Sequence, residues 1–271
     1  MTPHRSALVG RDDALGRLST AIGRLADGCG GGIWVEAGPG LGKTELLAHA
    51  LARVPPSIEV RRTPAAPVTE RPLLLVVDDL HRADEAVLAA WARLHPVTRT
   101  AALLLVTATR PVCRPEFDTA RAGAVAGAAD VVRLAPLTDA DATELAHGLG
   151  LDPYVVESAV RDAGGNPAYL RLLRHGRADP PSPLRALVAD HLSTLRRRTR
   201  EILTLLALAP AGITATELAV RADRPPPEVR AALHEAVDGA ILAAYDGVAH
   251  FRHPIVRRVL RMPARFSGAN N

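Results

Sequence analysis

The segment Ala37-Gly-Pro-Gly-Leu-Gly-Lys-Thr44 restricts what this chain can fold into more than any other. Glycines at positions 38, 40 and 42 permit a tight turn whose N–H groups converge on one point. The loop follows a short apolar strand-like run, residues 33–37, and precedes helical apolar spacing over residues 45–53. A strand, a glycine loop and a helix N-terminus together make an anion cradle, because unpaired N–H groups and the helix dipole both favour negative charge. Lys43 is the one lysine among 33 Lys and Arg residues. A flexible ammonium fits a tight turn where a planar guanidinium does not. The pattern is that of a phosphate-binding loop: backbone N–H groups wrap a β-phosphate, Lys43 bridges β- and γ-oxygens, and the Thr44 hydroxyl ligates Mg²⁺. The predicted ATP- or ADP-contacting set here is Gly38, Pro39, Gly40, Leu41, Gly42, Lys43, Thr44 and Glu45. Ala37 stands where the motif has its first glycine and is small enough to close the strand.

Around this loop the first half of the chain alternates helices and continuous apolar strands. Residues 15–25 have amphipathic helical spacing, and the glycine-rich stretch 27–32 precedes the strand and is a linker. Strands are predicted over 33–37, 57–62, 73–77, 102–107 and 131–134, with a loop over 64–72 and a helix over 85–94. Continuous apolar strands separated by helices specify a parallel sheet covered on both faces, an α/β fold of the P-loop NTPase type. A hydrophobic fraction of 48% with 3% aromatics implies a core of Leu, Val and Ala. Only 28 residues lie between Thr44 and Leu73, so the sheet edge at the second strand is expected to be pared down.

Two further constellations fall at strand ends. Leu73-Leu-Leu-Val-Val-Asp78-Asp79-Leu-His81 sets two acids after a buried strand, at the carboxyl edge where ligands bind in such sheets. Asp78 is placed to hold Mg²⁺ through water, and Asp79 to orient or deprotonate an attacking water. Leu103-Leu-Leu-Val-Thr-Ala-Thr109-Arg110-Pro111 ends the next strand in groups able to sense a γ-phosphate; Thr107, Thr109 and Arg110 are candidates, with Arg110 favoured.

The second half is helical. Helices are predicted over 139–149, capped by Thr138 and Asp139, and over 153–163, ended by Gly164-Gly165. After the Pro-rich break at 179–183 come helices over 184–195, 199–209, 215–221 and 227–237. Two short strand-like pieces, 241–244 and 248–251, flank the turn at 246–247. Helices followed by a hairpin make a winged helix, able to bind DNA or to act as a latch. The helix over 227–237 carries Arg230 but also Glu228 and Glu235, a poor face for phosphate. The basic run 196–200 is a solvated helix end. The expected division is a nucleotide-binding domain 1–134, a helical lid 135–183, a winged-helix domain 184–262 and a tail 263–271.

Taken together, Leu8-Val9-Gly10-Arg11-Asp12, the phosphate loop, Val-Val-Asp-Asp-Leu-His-Arg-Ala-Asp84 and Thr-Ala-Thr-Arg-Pro resemble the STAND branch of AAA-related P-loop ATPases. The likeness is to the ATPase region of large ATP-binding LuxR-family transcriptional regulators and spans residues 7–262. It implies that Val9 and Arg11 lie against the adenine, and that Ala163-Gly-Gly-Asn-Pro167 sets Pro167 near base and sugar. In His250-Phe-Arg-His253-Pro it implies that His253 reaches the ADP β-phosphate. The resemblance further implies a switch in which ADP favours a closed state and ATP an open one able to self-associate or engage a protein partner. Lys43, Asp79 and Arg110 would be its catalytic residues, Thr44 and Asp78 its metal ligands, and hydrolysis would be slow. No repeat array or LuxR-type helix-turn-helix follows within the sequence, which leaves open a standalone remnant, a fragment, or a protein whose output comes from a partner.

Other classes are bounded by composition. A net charge of +4 argues only weakly for nucleic acid. Cys29 and Cys113 make neither a disulfide framework nor a metal motif, which fits a reducing cytoplasm. No apolar run is long enough for a membrane span. The alternatives are a DNA-binding ATPase of the origin-recognition kind and a scaffold that binds nucleotide without hydrolysing it. A small-molecule kinase lacks a visible acceptor site.

Overall fold

A computed structural model describes residues 8–62, 71–111, 115–173, 180–210, 213–243 and 247–262. Contacts divide the chain between Asp141 and Ala142 into two compact units.

The first unit carries the sheet. Helix α1 (Asp12–Ala26) leads into β1 (Gly31–Glu36), and the glycine loop joins it to α2 (Lys43–Leu51). Then follow β2 (Glu59–Arg61), β3 (Leu73–Val77), a 3₁₀ turn (Leu80–Arg82) and α3 (Glu85–Leu94). A second 3₁₀ turn, Pro96–Arg99, precedes β4 (Leu103–Thr109), α4 (Pro115–Ala126) and β5 (Asp130–Arg133). The five strands are parallel, in the order β2-β3-β4-β1-β5. Alternation along each strand feeds two cores. Ile33, Val35, Leu74, Val76, Leu104 and Val106 pack with Leu18, Ile22 and Leu25 of α1 and with Leu46 and Leu47 of α2. Trp34, Leu73, Leu75, Leu103 and Leu105 pack with Leu88 and Trp91 of α3 and Phe117 of α4. Both faces are therefore covered, which is why β4 is buried along its whole length.

The short stretch between Thr44 and Leu73 has the expected effect: β2 is three residues long, and Val60 is half exposed there. Most of the predicted loop over 64–72, together with Cys113, Asp179, Asp246 and the 263–271 tail, lies outside the described residues. Helix α4 was not legible in the sequence. Its buried positions after Phe117 are Ala120 and Ala124, too small to mark a hydrophobic stripe.

The second unit is helical. After α5 (Asp139–Gly148), which crosses the division, come α6 (Pro153–Ala163), α7 (Pro167–Leu173), α8 (Ser182–Ser193), α9 (Arg197–Leu208), α10 (Ala215–Ala222), α11 (Pro226–Asp238) and α12 (Pro254–Arg261). Gly164, with φ of +53°, ends α6 in the left-handed conformation that an added Cβ would bring against the Arg252 carbonyl. The Gly-Gly-Asn-Pro segment is the turn expected, and Pro167 continues it as the first residue of α7. The expected hairpin is shorter than two strands: Leu242 bridges Phe251 in antiparallel fashion, Ala243 N–H donates to the His250 carbonyl, and Arg252 N–H to that of Ile241. Helix α12, also absent from the sequence reading, turns Arg257 and Arg261 onto the carbonyls of Ala207 and Ala209 at the end of α9. Cations at a helix C-terminus satisfy orphan carbonyls and oppose the dipole's negative pole. Among the described residues no helix is long and apolar enough to cross a membrane.

Candidate functional site

At the carboxyl edge of the sheet, β1 runs into the glycine loop with its turns made at Gly40 and Gly42, where φ is +75° and +92°. Gly42 is the N-cap of α2, and no side chain caps that helix. Its first N–H groups are left without a side-chain partner at the loop, the arrangement that suits an anionic oxygen. Lys43 is buried, and its Nζ donates to the carbonyls of Ala37 (2.9 Å) and Gly38 (3.1 Å), folded back along the loop.

The loop is tied to the acids of β3. Thr44 Oγ1 donates to Asp78 Oδ2 at 2.6 Å, and Asp79 N–H donates to Asp78 Oδ1 at 3.0 Å. The first pair fits Mg²⁺: both atoms are hard oxygens of the kind that ion takes, and Thr44 and Asp78 would hold it between loop and strand. A magnesium ion here would complete its shell with water and phosphate oxygens. Among the described residues there is no cluster of three or more His, Cys, Asp or Glu able to hold a metal by itself.

Asp79 adopts the left-handed conformation, φ +56° and ψ +39°, before the 3₁₀ turn at Leu80–Arg82. Non-glycine residues seldom adopt it, and such strain gathers at functional sites. It sends Leu80 into the core and returns His81 toward the site, with Nδ1 3.8 Å from Asp79 Oδ1. The His81 side chain is 6% exposed, against 40% for Asp79. Burial lowers the His81 pKa to about 4; the Asp79 carboxylate opposes this, and the charges of Arg110, Lys43 and Arg82 add to it. The ring is thus neutral near pH 7 and stands within the field of the loop lysine, the β3 acid and the cation after β4. Of the three β4 candidates, Thr107 and Thr109 are fully buried, whereas Arg110 follows the strand end and is partly exposed.

Arg11 joins this assembly from the N-terminal side. Its buried guanidinium donates to the Leu41 carbonyl of the loop and to the Gly10 carbonyl, both at 3.2 Å. Burial lowers its pKa, and Asp141 opposes the shift. Val9 is half-buried beside it. Gly10 has φ of +65°, and a Cβ there would meet the Asp141 carboxylate at 2.8 Å. Glu36, which the sequence did not single out, accepts from Trp34 Nε1 at 2.9 Å and pairs with Arg121 and Arg133. That network braces the end of β1 just before the loop. A lone acid closing an apolar strand was its only signal.

The first unit thus brings together Val9, Arg11, residues 38–45, Asp78, Asp79 and Arg110. Pro167 and His253 belong to the second unit. His253 is buried, its ring edge-on to Tyr169 at 5.3 Å between centroids, and its Nδ1 lies 2.9 Å from the Ala163 carbonyl. A carbonyl only accepts, so Nδ1 carries the proton and Nε2 of the neutral ring is bare.

This architecture is the P-loop ATPase fold, with a glycine loop after β1 and an acid pair after β3. Among solved structures, the chain is similar to the Walker-type ATPase of Pyrococcus abyssi, with a TM-score of 0.64 at 14% identity over 94% of this chain and 96% of that one. It is also similar to the ORC2 protein of Aeropyrum pernix, described as ADPNP–ADP complexes, with a TM-score of 0.61 at 13% identity over 93% and 94%. The ORC1 protein of the same organism, solved in complex with DNA, gives a TM-score of 0.51 at 13% identity over 96% and 94%. No protein-family model and no curated protein sequence matches the chain.

Proposed function

We propose that this protein is a nucleotide-dependent switch that binds Mg-ATP and ADP in the first unit and hydrolyses ATP slowly. The observation that carries the reading is the Thr44–Asp78 pair beside the buried Lys43, which joins loop, metal oxygens and cation in one place. In it Lys43 would meet the β- and γ-phosphate oxygens, Thr44 and Asp78 would hold Mg²⁺, and Asp79 would face the attacking water. Arg110 would meet charge developing on the γ-phosphate, where Mg²⁺ would supply electrostatic stabilisation when bound. With no arginine supplied by another protein, turnover is about 10⁻² s⁻¹ or below.

The regulatory role follows the STAND and LuxR-type resemblance and the order of helices and short antiparallel pairing in the second unit, which supports a winged helix. Driving a two-state switch from 1:99 to 99:1 takes about 5.5 kcal/mol of differential affinity, within reach of a γ-phosphate with its Mg²⁺. The resemblance gives His253 a phosphate contact. In the protonation state described here, Nε2 would have to take up a proton to donate to a phosphate oxygen. The test is to denature the purified protein and identify the released nucleotide by chromatography, then titrate ATP into the emptied chain. Stoichiometric ADP supports the switch; a chain that neither carries nor binds adenine nucleotide refutes it.

A second reading, DNA binding through α11, gains one observation. Of the acids that count against that helix, Glu235 is engaged within the chain, accepting from Arg196 N–H and Thr199 Oγ1, whereas Glu228 stays exposed, 3.9 Å from Arg198. Duplex affinity that falls steeply with salt would favour this reading.

A further inference from the structure

The base assigned to Asp79 has a carboxylate that nothing in its own backbone turn aims. Asp78 next to it is committed on both oxygens, to Thr44 and to the Asp79 N–H. Asp79 is 40% exposed on a strained left-handed residue, free to turn toward solvent. A group that orients it would have to be buried, rigidly held and neutral, so as not to neutralise the carboxylate or repel Lys43 and Arg110. His81 meets these conditions. Its backbone is fixed by the 3₁₀ turn and by Leu80, which is fully buried in the core next to it. Its ring is almost wholly enclosed, with Nδ1 3.8 Å from Asp79 Oδ1. That distance is longer than a hydrogen bond and short enough for a single side-chain rotation to close; hydrogen bonds of this kind often tighten only when substrate is present.

We propose that His81 is a positioning residue for Asp79: in the ATP-loaded site its Nδ1–H donates to the Asp79 carboxylate and turns it toward the water that attacks the γ-phosphate. The imidazole touches neither phosphate nor metal. It acts as the third member in a water–carboxylate–imidazole chain, the arrangement in which a base is oriented by a group behind it. The proton taken from water goes to Asp79, and the imidazole keeps its own. This inference rests on the hydrolytic reading given above.

The test separates orientation from binding with His81→Ala, His81→Asn and His81→Gln, measured for ATP affinity with a fluorescent ATP analogue and for steady-state phosphate release. The Asn amide nitrogen takes roughly the place of Nδ1, and the Gln amide nitrogen that of Nε2. The expected result is that His81→Ala lowers kcat roughly 10- to 100-fold, as loss of an orienting outer partner does, with ATP affinity changed less than about twofold. His81→Asn should recover most of the rate, and His81→Gln should not. In an Asp79→Asn background, His81→Ala should add nothing, because the group it orients is gone. Equal losses in Asn and Gln variants, full additivity with Asp79→Asn, or an affinity loss that matches the rate loss would each overturn the proposal. Should His81→Ala not fold, the Asn and Gln pair still decides. Wild-type chain that binds ATP but releases no phosphate overturns the hydrolytic reading and this one together, whereas wild-type turnover unaffected by any His81 variant overturns this one alone.

Discussion

Lys43 and Gly42 show how much one position controls. Burying an ammonium is costly unless it is hydrogen-bonded, and the Ala37 and Gly38 carbonyls accept from Lys43. Lys43→Ala removes a group that spans two phosphates while leaving the sheet core untouched. Its ATP Kd should rise at least ~100-fold, about 2.7 kcal/mol, in a titration where the melting temperature stays within a few degrees of wild type; unchanged affinity would refute the phosphate-loop assignment. Gly42 has φ of +92°, and a Cβ there would touch nothing within 4 Å. The cost of Gly42→Ala is therefore conformational, about 1–2 kcal/mol, and should appear as weaker nucleotide binding at an unchanged far-UV spectrum. Both residues were legible in the sequence, because a loop motif is local. Arg11 was legible only as a nucleotide neighbour; its bond to the Leu41 carbonyl depends on α1 being folded against the sheet.

Helix ends carry the next level. Thr214 and Glu217 form a capping box at the start of α10: the Thr214 side chain accepts from Glu217 N–H, and the Glu217 carboxylate accepts from Thr214 N–H. The Thr214 N–H and the Thr214 hydroxyl, both donating to the carboxylate, lower the Glu217 pKa. Thr214→Ala removes one side of that exchange and should destabilise the fold by ~1 kcal/mol, read as a shift in the denaturation midpoint at constant slope. The Thr-x-x-Glu pattern is visible in the sequence, since both partners lie within one turn. The arginines of α12 are different. Arg257 and Arg261 sit about 50 residues from the carbonyls they cap, so nothing local in the sequence marks them as caps. Packing of α12 on α9 makes them a helix cap. Helix α4 was missed for a related reason: alanines bury well beneath a sheet but leave no periodic signal in a chain as alanine-rich as this one.

At the scale of the molecule, the second unit depends on acidity in a definite direction through His253. Burial lowers the His253 pKa to about 4, from an ordinary value near 6.5, although its bond to Ala163 pulls the other way. The unfolded chain then binds the proton more readily than the folded one. The stability this group permits is complete above pH ~6.5, declines as pH falls, and is lost by about pH 4, on the order of 3 kcal/mol in all. Thermal melts from pH 7 to pH 4 should show this fall, and His253→Gln should flatten it; an equal fall in both would place the sensitivity elsewhere. Tyr169 and His191 complete the buried polar set. His191 Nε2 donates to the Gly239 carbonyl at 3.0 Å, and its Nδ1 lies 3.0 Å from the Tyr169 oxygen.

The sequence by itself determined the parallel α/β class, the glycine loop, the acid pair and the helical second half, because each is written in residues adjacent in the chain or repeated at a fixed period. Strand order was decided only by the tertiary structure, which sets β4 between β1 and β3 and so lines up the loop, the acids and Arg110 on one edge. The same holds for the neutral state of His81 and the proton on Nδ1 of His253. Those properties arise from burial and from partners brought near by folding: Lys43, 38 positions before His81, and Ala163, 90 positions before His253. Desolvation and through-space charge have no counterpart in a linear pattern, which is why the groups that tune this site emerged only once the chain was folded.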